Sequence, residues 1–451
     1  MMRPLTLSTA AQEFGGTLMY PDCGFDAVGT DSRSLSDGEL FVALRGERFD
    51  AHQFLPEVAT RACGMVVERP VRDINVPQWV VPDTTVALGQ LAALNRRSFY
   101  GPLVAVTGSS GKTTVKEMIA SILGECGPVL ATRGNLNNQI GVPLTLLQLS
   151  PQHRYAVIEM GASGPGEIAY LCSLARPDVV LVNNVLPAHV EGFGSLQGVA
   201  SAKGEIYRGV VPEGTAVINL DEPWAADWRA SAGAAVLSFS MQLEGADFRA
   251  RELVNEEGCY RFVLVAPVGE VMVKLSLGGR HNVANALAAA ACAYAAGANL
   301  DAIVAGLEKL KPVPGRLNRR MLPGGGVVLD DTYNANPGSV KAAVDALLAL
   351  PGKHILVLGD MGELGADEAR LHAEVGRYAA QQGVERLLAV GPLSINTVRE
   401  FGVSGEHFDS KEALVERLRS LLLSDSVVLV KGSRFMAMET VVQQLTETGE
   451  A

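Results

Sequence analysis

One run of residues limits the possible folds of this chain more than any other: Val104-Ala105-Val106-Thr107-Gly108-Ser109-Ser110-Gly111-Lys112-Thr113-Thr114. An apolar stretch ends in a glycine-rich turn, and the turn runs into Lys-Thr-Thr. Val115, Met118, Ile119 and Ile122 then recur at helical spacing. A buried strand, a tight loop and a helix in that order open a strand–helix–strand unit, so a mostly parallel sheet is expected. The loop is also a phosphate cradle. The backbone N–H groups of Gly108, Ser109, Ser110, Gly111, Lys112, Thr113 and Thr114 can face an anion, and the helix N-terminus adds positive potential. Lys112 can reach terminal phosphates and the Thr113 hydroxyl can hold magnesium. The spacing is short: only Ser109 and Ser110 separate the two glycines, where the general phosphate-loop pattern has four residues.

The 451 residues suggest two to four domains. With 48% hydrophobic and 19% charged residues there is enough apolar material for substantial cores. The net charge of −11 argues against nucleic acid or an anionic membrane as partner. Cys23, Cys63, Cys126, Cys172, Cys259 and Cys292 are scattered without a Cys-x-x-Cys. They read as buried small apolar residues in a reducing compartment. The N-terminus carries no apolar signal core, and the alanine-rich residues 284–298 include Asn285 and Tyr294, so they read as a buried helix. A cytoplasmic protein with no membrane span is expected.

Three regions follow along the chain. Residues 1–82 read as a small α/β domain with short strands at 40–44 and 64–67 and a helix opened by Asp50 as N-cap. Residues 83–312 alternate apolar runs (104–107, 155–160, 179–183, 216–220) with helical patterns, as a parallel sheet requires, and the β-rich stretch 246–277 reads as a hairpin excursion. After the Pro/Gly joint at 311–315, residues 313–451 repeat the alternation with strands at 327–330, 354–358, 386–390 and 427–430, a second, Rossmann-like unit.

Ligands in open α/β sheets gather at the carboxyl ends of strands. Glu159, His189, Asp330 and Asp331 fall there. Magnesium prefers oxygen ligands, so Thr113 and Glu159 are its candidates, and the His189 imidazole could complete a second site. Lys203 falls in a helical pattern, where a surface ion pair is the simplest reading. The run Gly134-Asn135-Leu136-Asn137-Asn138-Gln139-Ile140-Gly141 is rich in side-chain amides that suit a polar, amide-bearing ligand. Asn282 opens the alanine-rich helix and could read an adenine edge. Arg316 sits at the joint, either as a domain-interface ion pair or as a phosphate contact, and its place at the joint favours the second.

These segments, in this order, resemble the Mur ligase family, which builds the peptide stem of bacterial cell-wall precursors. The likeness is carried by the short Thr107–Thr113 loop, by Asp31-Ser32-Arg33, Phe41-Val42-Ala43-Leu44 and Phe49-Asp50-Ala51-His52, and by Asp331-Thr332-Tyr333-Asn334-Ala335-Asn336-Pro337. It covers nearly the whole chain. The last segment resembles the branch that adds a D-alanyl-D-alanine dipeptide.

The resemblance implies a UDP-sugar-binding first domain, a central ATP-binding domain, and a third domain that closes over ATP and binds the dipeptide. It implies ATP and Mg2+ as cofactors, with Lys112 and the loop on the phosphates. Thr113, Glu159, His189 and a carbamylated Lys203 would act as metal ligands. It gives Asn282, Arg316 and Asp331 to adenine, phosphate and ribose. Ser32, Arg33, Asn135, Asn137 and Asn138 would contact a UDP-N-acetylmuramoyl-tripeptide, and Asn334 and Asn336 the dipeptide. The implied reaction activates the tripeptide carboxylate as an acyl phosphate for attack by the D-alanyl-D-alanine amine, with ADP and phosphate released. A monomer is expected. The rival readings are a sibling ligase adding one amino acid and a nucleotide-driven switch or transport ATPase.

Overall fold

Runs of Val, Ile, Leu and Ala buried on both faces form the central sheet. The computed structural model describes residues 1–46, 49–187, 190–256 and 258–447. In the nine-stranded sheet, Leu103–Thr107 lies between Tyr155–Glu159 and Val179–Val182 and is parallel to both. Consecutive strands therefore leave Leu103–Thr107 on opposite sides. That topology opens a crevice at its carboxyl end, where the glycine loop begins. Beyond Val179–Val182 the sheet continues in parallel through Thr215–Asn219, Ala235–Ser240 and Phe248–Glu256. It ends in the antiparallel strands Cys259–Ala266 and Gly269–Leu275, the expected hairpin.

One face of this sheet is covered by the helices Lys112–Gly124, Arg280–Ala295 and Leu300–Glu308. Val115, Met118, Ile119 and Ile122 pack with seven small-residue positions of the alanine-rich helix, including Ala286 and Ala290. Side chains this small let the helices approach closely. At Gly306 an added Cβ would lie 2.3 Å from Ile122 Cα. No described helix is long and apolar enough to cross a membrane.

The opposite face shares its core with the amino-terminal residues. Leu5, Phe25, Leu40, Val66 and Trp79 pack in one cluster with Leu88, Leu91 and Ile158. The amino-terminal region is a five-stranded sheet ordered Thr17–Met19, Gln78–Val80, Gly64–Val67, Leu40–Val42 and Val28–Gly29. Asp50 caps the short helix Ala51–Phe54 as expected, its carboxylate accepting from the His52 N–H.

The carboxyl-terminal sheet has six strands, ordered Asn318–Met321, Val327–Asp331, Ser426–Lys431, Lys353–Gly359, Arg386–Val390 and Gly405–Phe408. Only the first pair is antiparallel. The cysteine expectation is corrected in part. All six are free thiols, but only Cys172 and Cys292 are buried; the other four are half-buried.

Candidate active site

The carboxyl ends of the central and carboxyl-terminal sheets face one cleft of about 1090 Å3. The glycine loop forms its floor. Gly108 and Gly111 adopt φ of +150° and +75°, values that only glycine takes without strain. The loop is held from outside by asparagines. Asn184 Oδ1 accepts from the Ser110 N–H at 2.9 Å, and Asn183 Nδ2 donates to the Ser110 carbonyl at 3.0 Å. Asn183 also donates to Asn285, and Asn285 to Asn282. The Lys112 ammonium folds back on the Gly108 carbonyl at 2.7 Å. Burial pushes its pKa down, the Glu159 carboxylate opposes that, and the Arg316 charge adds to it.

Glu159 ends its strand inside the cleft. Asn137 Nδ2 donates to its Oε1 at 2.8 Å, while Oε2 is buried with no hydrogen-bond partner. A buried carboxylate oxygen left bare is costly. Its chemistry fits a hard cation, and the Thr113 hydroxyl lines the same cleft.

Arg316 joins the two sheets. Its Nη2 donates to Thr113 Oγ1 at 3.0 Å, and its guanidinium lies 4.1 Å from the centre of the Tyr333 ring. Asp331 closes its strand against Lys431, whose ammonium is 2.5 Å from Oδ2 and also reaches the Asn334 carbonyl at 2.9 Å. The Asn336 side chain accepts from the Ser339 N–H at 2.9 Å and caps the helix Pro337–Leu348.

Residues 106–293 match the Mur ligase middle domain, and residues 315–434 match the Mur ligase glutamate ligase domain. The chain belongs to the Mur ligase family. It is 50% identical over 452 residues to the UDP-N-acetylmuramoyl-tripeptide–D-alanyl-D-alanine ligase of Escherichia coli (strain K12), covering 99% of this chain and 100% of that one. The Haemophilus influenzae ligase of the same name is 43% identical, with 94% of each chain covered. Among solved structures, MurF from Acinetobacter baumannii superposes with a TM-score of 0.94 at 39% identity, covering 99% of this chain and 100% of that chain. MurF from Thermotoga maritima, in complex with ADP, superposes with a TM-score of 0.83 at 31% identity, covering 93% and 97%.

In this Mur ligase, Ser109, Ser110, Gly111, Lys112, Thr113, Thr114, Glu159, Asn282, Arg316 and Asp331 line one cleft with Asn135, Asn137, Asn138, Asn334 and Asn336. Lys203 is fully buried in the helix Leu196–Arg208, 5.7 Å from the Phe193 ring centre, which corrects its reading as a surface lysine. Its amine is held down to about 7, first by burial and then by the Lys112 charge, with Glu167 acting the other way. Ser32 and Arg33 stand apart from the cleft lining. Arg33 pairs with Asp31 at 2.7 Å on the surface, and the Ser32 carbonyl accepts from Arg61. His189 lies outside the described residues.

Sequence reasoning missed Lys431, His281 and the asparagine scaffold. Lys431 ends an apolar strand one residue before a glycine, a position that could have marked it. His281 lines the cleft, and burial lowers its pKa against the opposing pull of Asp331.

Proposed function

We propose that this ligase joins D-alanyl-D-alanine to UDP-N-acetylmuramoyl-tripeptide at the expense of ATP, in cytoplasmic assembly of cell-wall precursors. The supporting observation is the single cleft in which the phosphate loop, a carboxylate with a bare oxygen and the Asp331–Asn336 loop meet. The names of the full-length relatives point the same way.

A carboxylate is a poor acyl donor, and it repels the γ-phosphate it must attack. In this reading the loop amides and Lys112 hold the ATP phosphates and offset that repulsion. Attack of the carboxylate oxygen on the γ-phosphorus breaks its bond to the bridging oxygen, releases ADP and gives an acyl phosphate with a good leaving group. The dipeptide amine then adds to the carbonyl carbon, and collapse of the tetrahedral adduct expels phosphate and forms the amide. Bound Mg2+ would supply further charge screening and alignment. Thr113 and Glu159 are its proposed ligands, since both present oxygen to the cleft; His189 and a carbamylated Lys203 would complete a second site. An amine held near neutral is the form that can add carbon dioxide, so the depressed value supports carbamylation.

Asn282 and Asp331 are assigned to adenosine. Arg316 bridges Thr113 and Tyr333 and is assigned to phosphate. Asn135, Asn137 and Asn138 would face the tripeptide, Ser32 and Arg33 its UDP-sugar end, and Asn334 and Asn336 the dipeptide. Residues 1–82, 83–312 and 313–451 are the corresponding domains.

The test is phosphate release with UDP-N-acetylmuramoyl-tripeptide, ATP and Mg2+, omitting each amine in turn. Release is expected with D-alanyl-D-alanine and not with single amino acids. Equal turnover with one amino acid, or with no amine at all, overturns the assignment.

A further inference from the structure

The lining of the cleft carries a charge pair that the reaction above does not use. The strand Ser426–Lys431 leads through Gly432 and Ser433 into the short turn Arg434–Met436, and the helix Glu439–Thr446 follows. Arg434, Glu439 and Gln443 line the same cleft as Asn334, Asn336 and Ser339. Arg434 Nη1 donates to Glu439 Oε1 at 2.9 Å. The two ends of this pair are unequally satisfied. The guanidinium side chain is 66% exposed, and among the described residues that bond is its one side-chain hydrogen bond. Glu439 Oε2 is buried and has no hydrogen-bond partner. A buried carboxylate oxygen left bare carries an uncompensated desolvation cost and calls for an explanation.

The amine acceptor is a dipeptide with an ammonium group at one end and a carboxylate at the other. An adjacent cation and anion, each with unused bonding capacity, complement such a zwitterion. A guanidinium fork suits a carboxylate, and a carboxylate oxygen suits an ammonium. We propose that Arg434 and Glu439 form the clamp for the incoming dipeptide: Arg434 binds its terminal carboxylate, and the Glu439 carboxylate, whose side chain is 30% exposed, binds its ammonium group. The inference rests on the functional reading above and names the residues that select the acceptor.

Two measurements test it. The unaltered enzyme is offered D-alanyl-D-alanine and its carboxyl-terminal amide, which keeps the amine but loses the anion. Losing a charge-assisted hydrogen bond predicts a kcat/KM roughly 10- to 100-fold lower for the amide. Arg434→Met should raise KM for the dipeptide by a similar roughly 10- to 100-fold and abolish the preference for acid over amide, with KM for ATP and for the UDP-linked tripeptide unchanged. Glu439→Gln should also raise the dipeptide KM while keeping the acid-over-amide preference. An unaltered enzyme that uses acid and amide equally well overturns the clamp, although the ligase assignment stands. So does an Arg434→Met variant in which all three KM values rise together, since that is a structural effect. Failure of the unaltered enzyme to use the dipeptide at all removes the functional reading and the clamp together.

Discussion

Replacing Lys203 with methionine should make the protein more stable and at the same time inactive. The free amine is fully buried, and its pKa is held at about 7 against an ordinary 10.5, chiefly by loss of hydration. At pH 7 the unfolded chain protonates this group almost completely, whereas the folded chain protonates about half of it. That mismatch costs the native state roughly 4 kcal/mol. The folded value lies below the unfolded one, so the unfolded chain binds more protons between about pH 7 and 10.5. Stability therefore rises with pH across that window, and the full cost persists below pH 7. Methionine keeps the buried stem and removes the amine. In buffer depleted of carbon dioxide at pH 7, we expect Lys203→Met to gain on the order of 2–4 kcal/mol, a gain that fades towards pH 10.5. Urea unfolding followed by tryptophan fluorescence reads this directly, because Trp228 is buried and packs, with its ring tilted, against Tyr207 of the same helix as Lys203. Ligation should fall at least about 100-fold if the lysine becomes a metal-binding carbamate. A variant no more stable than the parent from pH 7 to 10, or one that ligates normally, refutes this reasoning.

Three other perturbations are informative. Gly111→Ala forces a Cβ to within 2.7 Å of Asn183 Nδ2 at a φ of +75°, so a loss of roughly 1–3 kcal/mol in stability and clearly weaker nucleotide binding are expected; unchanged affinity by calorimetric titration would count against the cradle. Arg316→Ala removes the Thr113 and Tyr333 contacts and should raise KM for ATP roughly 10- to 100-fold while barely moving the unfolding midpoint; an unaltered KM defeats the phosphate assignment. Burial pushes Glu222 up to about 7, so the folded chain binds the extra proton between about pH 4.5 and 7 and stability from this group declines as pH rises through that window. Glu222→Gln should thus stabilise above pH 7 and be near neutral at pH 4.5; the opposite pH trend in unfolding midpoints would contradict it.

The parallel strands were legible in the sequence because each is buried on both faces and shows as an apolar run. The glycine loop was legible because its backbone demands are local. Positions whose meaning depends on distant partners were not. Lys203 looked like a surface lysine because the helical pattern does not say which core will cover it. The amino-terminal region was only partly visible: Leu5–Thr6, Gly24–Phe25 and Val28–Gly29 are two-residue strands, too short to show alternation, and pairing between distant segments decides them. Lys431 and Asp331 lie 100 residues apart and meet only because their strands are neighbours. Asn336 illustrates a mixed signal, since its sequence neighbourhood suggested substrate contact and its side-chain oxygen is already engaged in capping a helix.

The asparagines behind the phosphate loop have a consequence for the conditions under which the loop works. Asn183, Asn184, Asn282 and Asn285 support it from behind with neutral amides, whereas the Lys112 ammonium on the Gly108 carbonyl is the charged contact within the loop. An amide neither gains nor loses a proton in the physiological range, and bonds between uncharged groups are little affected by dissolved ions. The asparagine supports therefore keep one arrangement through changes of acidity or ionic strength that would loosen a frame built from ion pairs. The loop's pull on an anion is not cancelled by counter-charges in those supports.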